Sequence, residues 1–395
     1  MGSAQTTQTR VGIVGGGPAG LMLSHLLHLA GIDSVVVDNR SREQIEETPR
    51  AGILEHDSVR LLVETGVSDR VQRDGDEHEG ITLAFDGGAH RIDFKHLVDA
   101  SVQLYPQTDV FIDLAAARER DGGDVRYGVT DVTVFDVTSN RPGIGFRDAE
   151  GRAQEVRCDY LVGADGAHSM TRHTFPSELR RHYFKEYPFA WFGILCEAPP
   201  SAPELIYNHS ERGFALISQR TPTLQRMYFQ CDPHEDVAAW PEDRIWTELQ
   251  ARVGANGFTL KEGRITDKSV LPFRSFVQEP MHYGNLLLAG DAAHTVPPTG
   301  AKGLNLALTD VVVLAEILER ALAGDPTAIE EYTPRALERV WKAQYFSFWM
   351  TSMLHQLPNA DSFDARRQIG ELTAVTSSVA GQTYLAECYT GWPDR

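Results

Sequence analysis

Cysteine is scarce in this chain, and its four occurrences (Cys158, Cys196, Cys231 and Cys388) form no CxxC pair and no His/Cys cluster at ligand spacing. A disulfide scaffold and a zinc site are therefore excluded, and no metal is expected; reduced thiols suit a cytoplasmic protein. Basic residues are also short: 37 Lys and Arg against 55 Asp and Glu give a formal net charge of −18. Such a field repels phosphate, which argues against nucleic acid or an anionic membrane as partner. Long apolar runs are missing too. Stretches such as Val311–Leu314 are broken by charges within a few residues, so no spanning helix is expected. The first ten residues carry no apolar signal-peptide core. No internal repeat is evident. With 395 residues the chain exceeds the ~250–300 at which single cores stop growing, so two or three structural units are expected.

What is present begins at Val11. Val11-Gly-Ile-Val14 reads as a short buried strand and Gly15-Gly-Gly-Pro-Ala-Gly20 as a glycine turn. Leu23, Leu26, Leu27 and Ala30 then recur at helical spacing, with Gly31 as the stop and Ser34–Val37 as a second strand ending at Asp38. This β-α-β unit implies a parallel sheet with a right-handed crossover. Gly15, Gly17 and Gly20 fit G-x-G-x-x-G: a tight turn, a close backbone approach to pyrophosphate, and close helix packing. The helix N-terminus offers N–H groups to the phosphates, and Asp38 is placed to accept from a ribose hydroxyl. From Tyr187 to Asp232, aromatic and β-branched segments alternate with turn residues, which predicts a mostly antiparallel sheet. After Leu306 the pattern is helical. The fold class is α/β (α+β). Its boundaries fall at 1–180 for a Rossmann-like cofactor domain, 181–277 for a substrate-binding sheet, and 278–395 for a return to the cofactor domain plus a helical segment.

Two further segments specify the dinucleotide. Cys158-Asp-Tyr-Leu-Val-Gly-Ala-Asp-Gly166 is an apolar strand running into an Asp-Gly turn at Asp165, and Leu286-Leu-Leu-Ala-Gly-Asp-Ala-Ala-His294 is a strand reaching Asp291. With the glycine fingerprint, and in this order, they resemble the flavoprotein aromatic hydroxylases, in which all three bind one FAD. The resemblance implies that Asp291 meets the ribityl chain and that a helix starting near Gly303 aims its positive end at the flavin. A second glycine fingerprint is lacking, so NADH or NADPH is expected to dock transiently as co-substrate.

The resemblance narrows along Arg50-Ala-Gly-Ile-Leu-Glu55, His78-Glu-Gly80, Arg212-Gly-Phe-Ala-Leu-Ile-Ser-Gln-Arg220, Pro297-Pro-Thr-Gly-Ala-Lys-Gly-Leu-Asn305 and Ala386-Glu-Cys-Tyr-Thr-Gly391. These match the 4-hydroxybenzoate 3-monooxygenase family over nearly the whole chain. The resemblance implies a substrate-carboxylate clamp at Arg220, with Ser218 and Tyr228 adding hydrogen bonds. It implies a proton relay through Tyr207 and Tyr389 to His78, with the Pro298 carbonyl orienting the phenol. Chemistry asks for such a relay. A flavin C4a-hydroperoxide is an electrophile, phenolate is a better nucleophile than phenol, and a histidine near ~6.5 drains a proton from groups near ~10. Arg50, Gln107, Arg226, Leu304 and Asn305 match flavin-contacting positions, while His168 and Arg274 match residues linked to the nicotinamide cofactor. Arg40 and Arg42 are candidates for a 2′-phosphate, and NADH versus NADPH stays open.

The implied reaction is hydroxylation of 4-hydroxybenzoate to 3,4-dihydroxybenzoate with NAD(P)H and O2, by an enzyme of a usually dimeric family. An amino-substituted 4-hydroxybenzoate, such as 3-amino-4-hydroxybenzoate, would suit the same clamp and relay. A non-catalytic FAD-fold binding protein is the reading of another class, and retention of clamp and relay argues against it.

Overall fold

The computed structural model describes residues 5–48 and 52–392, so Arg50 lies outside the described residues. The glycine fingerprint folds as expected: strand Val11–Val14, helix Pro18–Leu29, strand Ser34–Val37. These join a six-stranded sheet in the order 282–283, 286–288, 160–163, 11–14, 34–37, 124–126. Every pairing is parallel except the first hairpin. Its central strands are apolar on both faces because helix Pro18–Leu29 and, from the strands 143–147 and 153–157, Ile144 and Val156 pack in the same core. The helix Gly303–Leu322 buries Leu306, Val311, Leu314, Ile317 and Leu318 in a stripe, with Val311, Leu314, Ile317 and Leu318 packed in the same core as the first helix. Each such side chain contributes ~1.5–3 kcal/mol by leaving water.

The expected antiparallel sheet is larger than the sequence suggests. It has eight strands in the order 294–295, 264–279, 181–197, 224–231, 215–221, 206–208, 80–85, 88–93. The last two come from far upstream, and Ile206–Asn208 pairs with Gly80–Phe85 in parallel. The two longest strands, Arg181–Glu197 and Arg264–Glu279, run side by side with a register shift between Glu186 and Ala190, around Pro188. Proline cannot donate to the ladder, so an irregularity there is expected. One face packs on the C-terminal helices Tyr332–Leu354, Ser362–Thr376 and Val379–Thr390, the other on Glu242–Val253. A four-stranded sheet, 5–8, 153–157, 143–147, 130–135, and a three-stranded one complete the fold. Among the described residues no helix is long and apolar enough to cross a membrane.

Candidate active site

Two adjoining cavities define the site. One, of about 630 Å³, is lined by Gly15, Gly17, Asp38, Asp165, His168, Gln107, Asp291, Gly303 and Leu304. The other, of about 360 Å³, is lined by Tyr207, Ser218, Arg220, Arg226, Tyr228, Pro298 and Trp191. Gln107, Asp291, Gly303 and Leu304 border both, so the first cavity opens into the second beside the start of the Gly303 helix.

The first cavity fits a dinucleotide. Gly15 has φ +112, and a Cβ there would lie 2.2 Å from the Ala164 carbonyl oxygen; a Cβ on Gly20 would lie 1.9 Å from the Gly15 carbonyl oxygen. Both positions exclude any side chain, while Gly17 faces open space as a phosphate approach requires. The buried Asp38 accepts from the Gly16 N–H at 2.8 Å, which fixes the turn. We therefore expect Gly20→Ala to bind FAD at least ~100-fold more weakly, because the overlap falls on backbone that cannot yield. The flavin content of the purified variant checks this.

Several expected cofactor residues are occupied by the protein itself. Asp165 accepts from Met170 N–H, Thr171 N–H and the Thr171 hydroxyl at 2.7, 3.0 and 2.7 Å, so its carboxylate shapes the turn. The Asn305 amide donates to the Ile53 and Ala301 carbonyls and accepts from the Glu55 N–H, which ties the loop after residue 52 to the Gly303 helix. Arg40, at the rim of the first cavity, donates to Asp38, and Arg42 to Glu46 and Glu119, so both are paired with protein carboxylates. The exposed His168 stands at the first cavity. Arg274 lines a separate basic recess with Arg172, His173 and His182.

In the second cavity, strand alternation explains the wall. Leu216, Ser218 and Arg220 share one face of the strand Ala215–Thr221. Tyr228 pairs across from Leu216, and Arg226 from Ser218. Gly193, opposite Tyr228, admits its ring, since a Cβ at 193 would lie 2.8 Å from it. The Ser218 hydroxyl donates to the Arg226 carbonyl at 2.7 Å, and Arg226 Nε donates to the Tyr228 hydroxyl at 2.9 Å. Both arginines keep an Nη1 that is buried without a hydrogen-bond partner. Burial, aided by Arg226, lowers the pKa of Arg220. A buried donor left unmade costs ~1–3 kcal/mol, so the site is built for an anion.

The Tyr207 and Tyr389 hydroxyls meet at 2.7 Å, and the Tyr207 hydroxyl also donates to the Thr299 carbonyl at 3.3 Å. The Pro298 carbonyl accepts from the Ala301 N–H within its turn and borders the cavity. Burial raises both tyrosines above their ordinary range, so both rest as neutral hydroxyls. His78 does not join them directly. Its Nε2 lies 2.6 Å from Gln219 Nε2 and 3.3 Å from Asp76, and its Nδ1 is buried without a partner. Burial lowers its pKa.

Sequence reasoning missed an ion cluster and an aromatic pair. Lys302, fully buried, donates to Glu55 at 2.7 Å and to the Tyr389 carbonyl at 3.0 Å, and Arg339 donates to Glu55 at 3.0 Å. This ion cluster holds the last helix against the Pro298 turn. Trp191 forms part of the cavity wall, and His355 lies behind it. No local signal marks these residues, because their partners are distant in sequence.

The buried histidines pull stability both ways with pH: His294, despite its burial, is held up by the Asp310 carboxylate, so its contribution is present below about 6.5 and fades as pH rises, whereas others are held down. Burial holds His355 down to about 3 and lowers His78 and His209. Below about 6.5 the unfolded chain binds protons that these native imidazoles refuse, so stability falls as pH falls. For His355 the loss runs from about 6.5 down to about 3, at ~1.4 kcal/mol per pH unit. Melting temperatures from pH 7 to pH 5 should decline, and less steeply in His355→Gln.

Comparison with known proteins gives the family. Residues 8–347 match the family model described as FAD binding domain. The chain is 43% identical over 392 residues to p-hydroxybenzoate hydroxylase of Acinetobacter baylyi, covering 98% of this chain and 96% of that protein. It is 25% identical over 344 residues to a probable NADH-specific resorcinol 4-hydroxylase of Rhodococcus jostii, covering 81% and 60%. Among solved structures, p-nitrophenol 4-monooxygenase PnpA of Pseudomonas putida DLL-E4 superposes with TM-score 0.81 at 18% identity, covering 99% and 100%. A ternary complex of aklavinone-11 hydroxylase with FAD and aklavinone superposes at 0.72 and 22% identity, covering 90% and 70%.

Proposed function

Since this chain belongs to the FAD-binding-domain family and is a flavin-dependent aromatic monooxygenase, we propose that it hydroxylates 4-hydroxybenzoate to 3,4-dihydroxybenzoate. The observation that carries the substrate is the unpartnered, buried Arg220 Nη1 in a cavity also lined by Tyr207, whose hydroxyl meets that of Tyr389 behind it. Tyr207 pairs with Leu216, and Arg220 lies four residues further along that strand, ~13 Å at 3.3 Å per residue. With both side chains reaching inward, that separation leaves room for one aromatic ring with an acid at one end and a hydroxyl at the other.

FAD, reduced by NAD(P)H, supplies the activation of O2 and an electrophilic oxygen. Gly15, Gly17, Gly20 and Asp38 would hold its dinucleotide portion, Asp291 its ribityl chain, and Gln107 and Leu304 would border its ring system. Arg220 anchors the substrate carboxylate, with Ser218 and Tyr228 beside it, while the Pro298 carbonyl and Tyr207 meet the phenol. Tyr207 takes the phenolic proton as it passes its own to Tyr389, so neither ring becomes a tyrosinate. His78, neutral at pH 7, receives the proton through bridging water. His168, Arg274, Arg40 and Arg42 are proposed for the transient nicotinamide, the last two after leaving their carboxylate partners. Residues 1–180 and 278–395 serve FAD and add segments to the substrate site, and 181–277 supply the wall that carries Arg220, Ser218 and Tyr228.

The four cysteines are free, which supports cytoplasmic residence. A homodimer is proposed, supported by the exposed aromatics Tyr183, Phe184, Trp341, Tyr345 and Phe348 along one groove; a monomer by light scattering would overturn it. The test of function is NAD(P)H oxidation with 4-hydroxybenzoate and product analysis. The expected product is 3,4-dihydroxybenzoate. Preference for 3-amino-4-hydroxybenzoate in the same assay would overturn the substrate assignment.

A further inference from the structure

Trp191 lines the substrate cavity beside Tyr228, with ring centroids 4.8 Å apart, and is buried. An indole has one polar edge and otherwise hydrocarbon edges, and flipping it within its slot changes which of them faces a ligand. In this structure its Nε1–H donates to His355 Nε2 at 2.7 Å. The other ring nitrogen, Nδ1, lies 2.9 Å from the Thr351 carbonyl oxygen, which can only accept. Nδ1 therefore carries the hydrogen, and Nε2 is left as the acceptor for the indole. The imidazole is fully buried, stacked on Phe189 at 4.6 Å and 6°, and 4.4 Å from Phe214. It has no freedom to rotate away.

We propose that His355 is a positioning residue for the aromatic substrate: it captures the Trp191 N–H so that the hydrocarbon edge forms the cavity wall. This rests on the substrate reading above. The same helix end also reaches the relay. The Thr351 hydroxyl, which donates to the Ser347 carbonyl, lies 2.9 Å from the Thr299 hydroxyl, and the Thr299 carbonyl accepts from Tyr207. Wall and relay are thus referred to one rigid element, the end of Tyr332–Leu354. Without an acceptor behind it, the indole would turn its N–H into the cavity, where an apolar ring should lie.

The test is a double-mutant cycle on FAD-loaded protein, with 4-hydroxybenzoate titrated by flavin fluorescence. His355→Leu should weaken binding about 10-fold, the scale of one buried donor left unpaired. His355→Gln, which keeps an acceptor, should recover most of that loss. In a Trp191→Phe background, which has no N–H to place, His355→Leu should change the affinity less than twofold. An equal loss in both backgrounds would assign His355 a merely structural role and overturn the proposal. Should His355→Leu not fold, the cycle is closed with His355→Gln: any loss it causes must vanish beside Phe at 191, and persistence overturns the inference. Failure of the wild-type protein to bind the ligand would instead sink the substrate reading.

Discussion

Arg220→Lys should weaken binding of 4-hydroxybenzoate by at least ~100-fold, because removing one side of a buried charged hydrogen-bonded pair costs ~2–5 kcal/mol. Lysine keeps the charge but not the planar fork that meets a carboxylate with two parallel bonds. The structure adds a second, opposite expectation. Arg220 is a half-buried cation beside Arg226, and its buried Nη1 has no hydrogen-bond partner. Replacing it by methionine should abolish binding and yet slightly raise the melting temperature of the ligand-free protein, since a half-buried cation with an unsatisfied donor is removed. A clamp holding a protein carboxylate would show the reverse: unchanged affinity and a less stable variant. Fluorescence titration and thermal denaturation of the two variants separate these outcomes.

Tyr207→Phe should leave reduction by NAD(P)H largely intact but divert most of the consumed oxygen to hydrogen peroxide. The variant loses the hydroxyl that lies 2.7 Å from Tyr389 while keeping the ring that packs on Phe214. The bound phenol then has no path for its proton, and a neutral phenol is a poor nucleophile. General acid–base assistance contributes ~10²–10⁴-fold, so product should fall below ~10% of NAD(P)H oxidised. Stoichiometric hydroxylation by this variant would remove Tyr207 from the relay.

Much of this was legible in the sequence, and the division has a physical basis. Gly15, Gly17, Gly20 and Asp38 lie within one β-α-β unit, where local spacing fixes geometry, so the fingerprint could be read directly. The Leu216, Ser218, Arg220 alternation is equally local. Contacts that cross the chain were not legible: Trp191 meets His355 across 164 residues, and Lys302 meets Glu55 across 247. Nothing near Lys302 signals that its charge is buried rather than solvated. Strands 5–8 and 153–157, which pair in parallel, are short and polar and leave no apolar alternation to detect. The parallel joining of Ile206–Asn208 to Gly80–Phe85 depends on tertiary packing alone. The occupied carboxylate of Asp165 was likewise invisible, because an Asp-Gly turn reads alike whether its acid faces ligand or loop.

The cavity lined by Arg220 and Tyr207, with Tyr389 hydrogen-bonded behind Tyr207, should take the proton from the bound phenol. The most direct test of that transfer is the ultraviolet difference spectrum of 4-hydroxybenzoate bound to the FAD-loaded protein, followed against pH. The phenolate band should grow in at least ~1 pH unit below the ~10 of a free phenol, and Tyr207→Phe should move it back up. A bound ligand that stays phenolic up to its free value, in wild type and variant alike, would contradict the account.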